Sequence, residues 1–202
     1  AMDEDSTIMK IDKDDGSVIF TSTFNAGGSD ALENVVEVSG GYAAVGYVAA
    51  EDNENTFYAE GEGQMVFLDE LGNVVDVVDD FNSYMSHAYR IASYDGQLIV
   101  SGLTEEAMDY ALVKMEMDGT VVWDKTYGGS GNDHNFAFDI SSNGTIFLSG
   151  HTLSDTVNWD TYTMMIDNDG NLLWENKTVN PRGFDTKNLH YEVWVVKATD
   201  DG

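Results

Sequence analysis

Apolar and polar positions alternate along much of the chain, and the stretch 109–150 shows the pattern in full. Ala111, Val113 and Met115 alternate with Leu112, Lys114 and Glu116, the period-2 signature of a strand. Asp118-Gly119 follows, a residue pair suited to positive φ and a strong hairpin signal. Thr120 to Tyr127 reads as a second strand, carrying Trp123. The run Gly128-Gly129-Ser130-Gly131 favours no regular structure and reads as a connection. Phe136 to Ile140 and Thr145 to Ser149 then flank Asn143-Gly144, a second hairpin turn.

This unit recurs. Strand, acidic turn with glycine, strand appears over 8–20, 65–78, 111–123 and 162–174. The matching turn glycines are Gly16, Gly72, Gly119 and Gly170, spaced by 56, 47 and 51 residues. The other half of the unit appears over 33–46, 88–102 and 136–150, while 193–202 copies one strand only. Four strands per roughly 50 residues is the period of a long β-propeller blade. The expectation is an all-β chain, a β-propeller or partial propeller of four-stranded antiparallel blades forming one domain over 1–202. Its blades fall at about 25–80, 81–127 and 128–178, with incomplete blades at 7–24 and 179–202. A strand is predicted over 191–198, with no further strand after it. Unfinished blades would leave unpaired backbone groups open to edge-to-edge assembly.

The pattern of alternating strand, D-G-x-x-x-W, K-T-x-G-G-S, acidic patch and D/N-G-x-x-x-x-G resembles tandem repeats of secreted and surface propeller proteins of bacteria and archaea. More loosely, it resembles the blades of quinoprotein-like propellers. Residues 111–150 carry every element; the first repeat keeps Ala26-Gly27-Gly28-Ser29 but has Phe20 in place of Trp. The resemblance implies a propeller fold and an extracellular or cell-surface location. It implies no particular activity, since such folds serve many roles.

Charge narrows the range of partners. Nine Lys and Arg stand against 37 Asp and Glu, a formal net charge of -28. Nucleic acid and anionic membranes would be repelled. No stretch is long and apolar enough to be inserted in a bilayer. The acidic residues are dispersed among strands, and 11% of the chain is aromatic, so they read as the solvated face of a folded protein. With no cysteine, disulfides, thiolate metal sites and thiol nucleophiles are excluded.

Candidate chemistry is sparse. Asp167-Asn168-Asp169-Gly170-Asn171 places Asp167 and Asp169 at alternate positions, as calcium loops do, but departs from the EF-hand pattern. No cofactor is expected; calcium at Asp167 and Asp169 is the one ion this turn suggests. Residues 49–63 form a long acidic insertion in which Glu51, Asp52, Glu54, Glu60 and Glu62 would meet a cation or partner, or simply face water. His87, His134 and His190 fall near one point of successive repeats, where they would either order the connection or gather around zinc. His151 has no counterpart in that set. Trp123 and Trp174 read as packing between blades. No nucleophile elbow, zinc-protease motif or phosphate loop occurs. The expected function is therefore a non-enzymatic extracellular structural or interaction module, whose partners are itself or other protein chains. A carbohydrate- or protein-binding propeller is the alternative, and a propeller hydrolase or quinoprotein ranks below both.

Overall fold

Period-2 alternation and glycine-marked turns produce antiparallel strands throughout. The computed structural model describes residues 5–25, 27–50, 61–104, 108–154, 159–178 and 193–199. Their strands are β1 (Ser6–Ile11), β2 (Val18–Phe24), β3 (Ser29–Val38), β4 (Gly41–Ala50), β5 (Glu62–Asp69), β6 (Val74–Val77) and β7 (His87–Tyr94). They continue with β8 (Gln97–Leu103), β9 (Tyr110–Glu116), β10 (Val121–Tyr127), β11 (Asp133–Ile140), β12 (Ile146–Thr152), β13 (Asp160–Ile166) and β14 (Leu172–Thr178). One 3₁₀ turn lies at Phe81–Ser83. The chain is all-β. β1 and β2 form a two-stranded sheet, while β3–β6, β7–β10 and β11–β14 form three four-stranded sheets in which each strand pairs with its chain neighbour.

The chain divides into two compact units, 1–91 and 92–202, with the boundary inside β7. In the first, Ala44, Val66 and Leu68 are buried with Ile8, Phe24, Leu32 and Tyr42 packed against them. In the second, Ile99, Leu112, Ile146, Leu148, Met164 and Ile166 are buried with Tyr110 and Tyr162, flanked by Trp123, Tyr127, Phe138 and Ile140. Each such aliphatic side chain contributes about 1.5–3 kcal/mol on burial.

One joint occurs in both units. Ser22 of β2 donates its hydroxyl proton to the carbonyl of Gly72, in the β5–β6 turn, and Phe20 packs against the same glycine. In the second unit Tyr127 of β10 donates to the carbonyl of Gly170 at 2.9 Å, in the β13–β14 turn, with Trp123 and Lys125 beside it. Gly72 and Gly170 have φ of 83° and 80°, a left-handed conformation that ordinary side chains rarely adopt.

The turns differ from the sequence expectation in one respect. Gly119 takes positive φ but Asp118 does not. Glu116 N–H donates to Thr120 O and Gly119 N–H to Glu116 O, and the β9–β10 register shifts just beyond. This is a three-residue hairpin loop with a following bulge rather than a two-residue turn. The two-residue form appears instead at Asp95-Gly96, where both residues have positive φ.

The strand predicted over 191–198 is not formed at 193–199. Within the second unit that segment follows β11 through side chains. Trp194 stacks on Phe136 with ring centroids 4.5 Å apart, Lys197 pairs with Asp139 at 2.8 Å, and Ala198 N–H donates to the same carboxylate at 2.7 Å. The apolar residues of Val-Trp-Val-Val favour extended backbone, but here a carboxylate and a ring, rather than a neighbouring strand's amides, receive it.

Candidate functional site

The second unit brings polar groups to one end of an otherwise apolar layer between two sheets. Cross-strand register sets their facing, because residues directly opposite each other share a sheet face. Ile146 lies opposite Ile166 and Leu148 opposite Met164, in the core. Farther along the same face Gly150 lies opposite Asn135 and Tyr162, and Thr152 opposite Asp133 and Asp160. Asp133, Asn135, Thr152 and Asp160 are all at most 1% exposed. Tyr110, from β9, buries its ring against Tyr162 and donates its hydroxyl to the Tyr162 carbonyl at 3.0 Å.

The connection 128–131 closes this end. Asp133 Oδ2 accepts from Gly129 N–H at 2.6 Å and from the Ser154 hydroxyl at 2.8 Å. Gly131 N–H donates to the Ser154 oxygen at 3.0 Å. A Cβ on Gly128 would fall against Asp109 Oδ1 and 2.8 Å from Asp133 Oδ2, so glycine is required for the two carboxylates to converge there. Among the described residues, Asp109 Oδ1, Asp133 Oδ1 and Asn135 Oδ1 accept no hydrogen bond. Burial and then the neighbouring Asp133 charge push the Asp109 carboxyl above its ordinary range. Burial also raises the Tyr110 phenol, helped by Asp133.

The opposite face of β11 and β12 is aromatic. His134 and His151 lie across from each other, His151 Nε2 to His134 Nδ1 at 2.9 Å, and His134 Nε2 meets Met108 Sδ at 3.1 Å. Trp159 contacts both imidazoles, with centroids 4.7 and 4.3 Å away. The sequence offered His151 no counterpart; the pairing depends on strand register, which a bulge between Asn135 and Ala137 resets. His87 and His134 stand within β7 and β11 rather than before them, and His190 lies outside the described residues. In the first unit His87 is enclosed by the Tyr47 and Tyr89 rings, and burial lowers it to about 4.

The residues singled out from sequence are placed as follows. Asp167 and Asp169 lie in the exposed β13–β14 turn. Asp167 Oδ1 accepts from Asp169 and Asn171 N–H, and Oδ2 from the Asn171 amide, and these bonds hold its carboxyl below the ordinary range. Asp69 closes the β5–β6 turn in the same way through Leu71 and Asn73. Ordinary turn closure thus engages both oxygens of Asp167. Glu62 opens β5 and is exposed; Glu51, Asp52, Glu54 and Glu60 lie outside the described residues. Among the described residues no three His, Cys, Asp or Glu converge as a metal-binding group. Trp123 packs against the core of its unit and beside Gly170 of the next sheet, whereas Trp174 is 41% exposed and meets Phe147 of its own sheet edge-on.

No family model matches the chain, and no curated protein does. Sixteen chains of solved structures match it. One, described as the crystal structure of the eukaryotic initiation factor, superimposes with a TM-score of 0.50 at 8% identity, over 88% of this chain and 44% of that one. The chain thus spans less than half the length of that structure. At this identity the likeness concerns fold alone.

Proposed function

We propose that the chain is a non-enzymatic structural or interaction module of the cell exterior, built from β-propeller blades, which joins further copies of itself by strand addition. The carrying observation is the two-stranded sheet: β1 pairs with β2 and, among the described residues, with no other strand. Its solvent face carries an apolar patch, Met9, Ile11, Val18 and Ile19, each at least half exposed, beside Thr7, Thr21 and Thr23. An open edge beside an apolar face is what an added strand would cover. Blade architecture is supported by the three four-stranded meanders and by the turn-to-strand joint found in each unit. At a net charge of -28, association requires salt that shortens the Debye length to about 3 Å near 1 M. In such salt, light scattering is expected to give a mass that rises with protein concentration, and a Met9→Lys/Ile11→Lys variant is expected to stay at the mass of one chain. A wild-type mass that does not move with concentration sinks the reading.

A second reading, carbohydrate binding, is favoured by Trp194, which is 47% exposed and braced from beneath by Phe136. An indole presented in this way offers a flat apolar surface for the face of a sugar ring. Glycan-array binding that is lost in Trp194→Ala would support it; an array on which the wild-type protein retains no glycan counts against it.

A further inference from the structure

We propose that Trp174 of β14 seats the β1–β2 turn of a second copy, so that copies stack head to tail through a joint each unit already makes within itself. The inference rests on the reading that copies associate, and it names where the neighbour sits. Phe20 and Trp123 each stand four residues past a turn glycine, Gly16 and Gly119, on the outer strand of a sheet. Each ring is partly buried and lies against the turn glycine of the following sheet, Phe20 on Gly72 and Trp123 on Gly170. Opposite Phe20 across the strand pair is Lys10, and opposite Trp123 is Lys114. Both lysines serve the same turns: Lys10 feels the charge of Glu70, and Lys114 donates to the Asn168 carbonyl at 3.1 Å and to its side-chain oxygen at 2.8 Å.

The two halves of one more such joint stand apart. Trp174 also lies four residues past its turn glycine, Gly170, on an outer strand, but is 41% exposed. Met165 lies opposite Trp174 and Phe147 opposite Met165, so the three share one sheet face. It corresponds to the face of β7–β10 that holds Trp123, Lys114 and Ile99. The other half is the β1–β2 hairpin. Among the described residues no atom lies within 4 Å of where a Cβ on Gly16 would stand, unlike Gly72 and Gly170. Met9 and Ile11, on the hairpin face turned away from Phe20 and Ser22, are exposed. An uncovered turn beside an apolar strand face thus matches a face whose ring is left open. Charge singles out this turn among the chain's matching four. Met165 stands where both made joints have a lysine, so a turn that brings its own cation suits it. Lys13, beside Asp14 at 2.6 Å, is the one lysine in any of the four turns. The contact is heterologous, one surface of a copy meeting a different surface of the next. The edge of β1 adjoins the hairpin face, so one neighbour meets both.

The test is light scattering of the full chain in about 1 M salt. Trp174→Ala is expected to raise the concentration at half-assembly about 30-fold, the effect of losing an aromatic anchor. Its urea midpoint is expected to stay near that of wild type, because the ring is exposed. Trp174→Phe, which places there the ring type of Phe20, is expected to assemble nearly as wild type does. Trp174→Ala and Met9→Lys/Ile11→Lys each keep one intact half of the joint. At a concentration where each alone has the mass of one chain, their equimolar mixture is expected to reach the mass of two chains and stop, since a single complete joint can form. The proposal is overturned if Trp174→Ala assembles at the wild-type concentration, if Trp174→Phe is as impaired as Trp174→Ala, or if the mixture stays at one chain's mass or passes two. Any of these, with a wild type whose mass rises with concentration, leaves strand addition standing; a wild-type mass that does not move sinks both.

Discussion

Gly150→Ala is expected to destabilise the second unit by about 3 kcal/mol, read as a lower urea midpoint at unchanged slope. A Cβ at this position would collide with the backbone carbonyl oxygen of His134 and press on the Tyr110 hydroxyl. Neither obstacle is a flexible side-chain end. The carbonyl belongs to the ladder between β11 and β12, and the Tyr110 hydroxyl is tied to Tyr162. The collision arises because β11 bulges between Asn135 and Ala137, directly opposite Gly150. Gly46 stands opposite a bulge at Leu32/Asn34 in the first unit, and a Cβ there would strike the Ala31 carbonyl. Gly46→Ala should therefore cost a similar amount. Gly96→Ala makes a useful comparison, because no atom lies within 4 Å of the added carbon and its cost comes from positive φ alone.

The second large effect is on pH. His87 is lowered by burial to about 4 from an ordinary value of 6.5. Between these values the unfolded chain binds a proton that the folded chain refuses, so unfolding takes up a proton and stability rises with pH. The contribution is fully present above 6.5 and is lost progressively as pH falls toward 4. The loss is on the order of 3 kcal/mol, at 1.36 kcal/mol per pKa unit. Urea melts of wild type and His87→Gln near pH 7 and pH 4.5 check this: the difference between the two proteins should shrink at the lower pH. Carboxylates that act in turns, such as Asp69 and Asp167, are held low by hydrogen bonds, and their contribution is lost at still lower pH. Glu33 is raised by burial and acts in the opposite sense. A difference between the two proteins that is constant with pH would remove His87 as the cause.

The strands were legible because their signals are local. Alternation in Ala111 to Glu116 and glycines at the turns needed no knowledge of the rest of the chain. The segment 193–199 shows the limit of the same logic: Val-Trp-Val-Val has strand propensity, but a strand needs a partner's amides, and here Asp139 and Phe136 act in their place. The acidic turn at Asp167 was visible as a pattern, yet the pattern of a calcium loop and that of a self-closed turn use the same residues. Asp109 and Asp133 were not singled out, although an aspartate follows Gly-Gly-Ser at Asp30 as well. Their convergence depends on a third residue, Gly128, and on the folded path of the backbone. The His134–His151 pair was missed for a related reason, since a single bulge decides which imidazoles face each other.

The joint between a strand and the next sheet's turn has a consequence for how such a chain tolerates change. Ser22 with Gly72, and Tyr127 with Gly170, are each formed between two consecutive sheets. Cohesion of this kind is a nearest-neighbour property, as in a row of identical couplings, and carries no information about the total number of members. A gene duplication or deletion that keeps both members of such a pair would leave its coupling intact, so length becomes a quantity that evolution can vary without redesigning that joint.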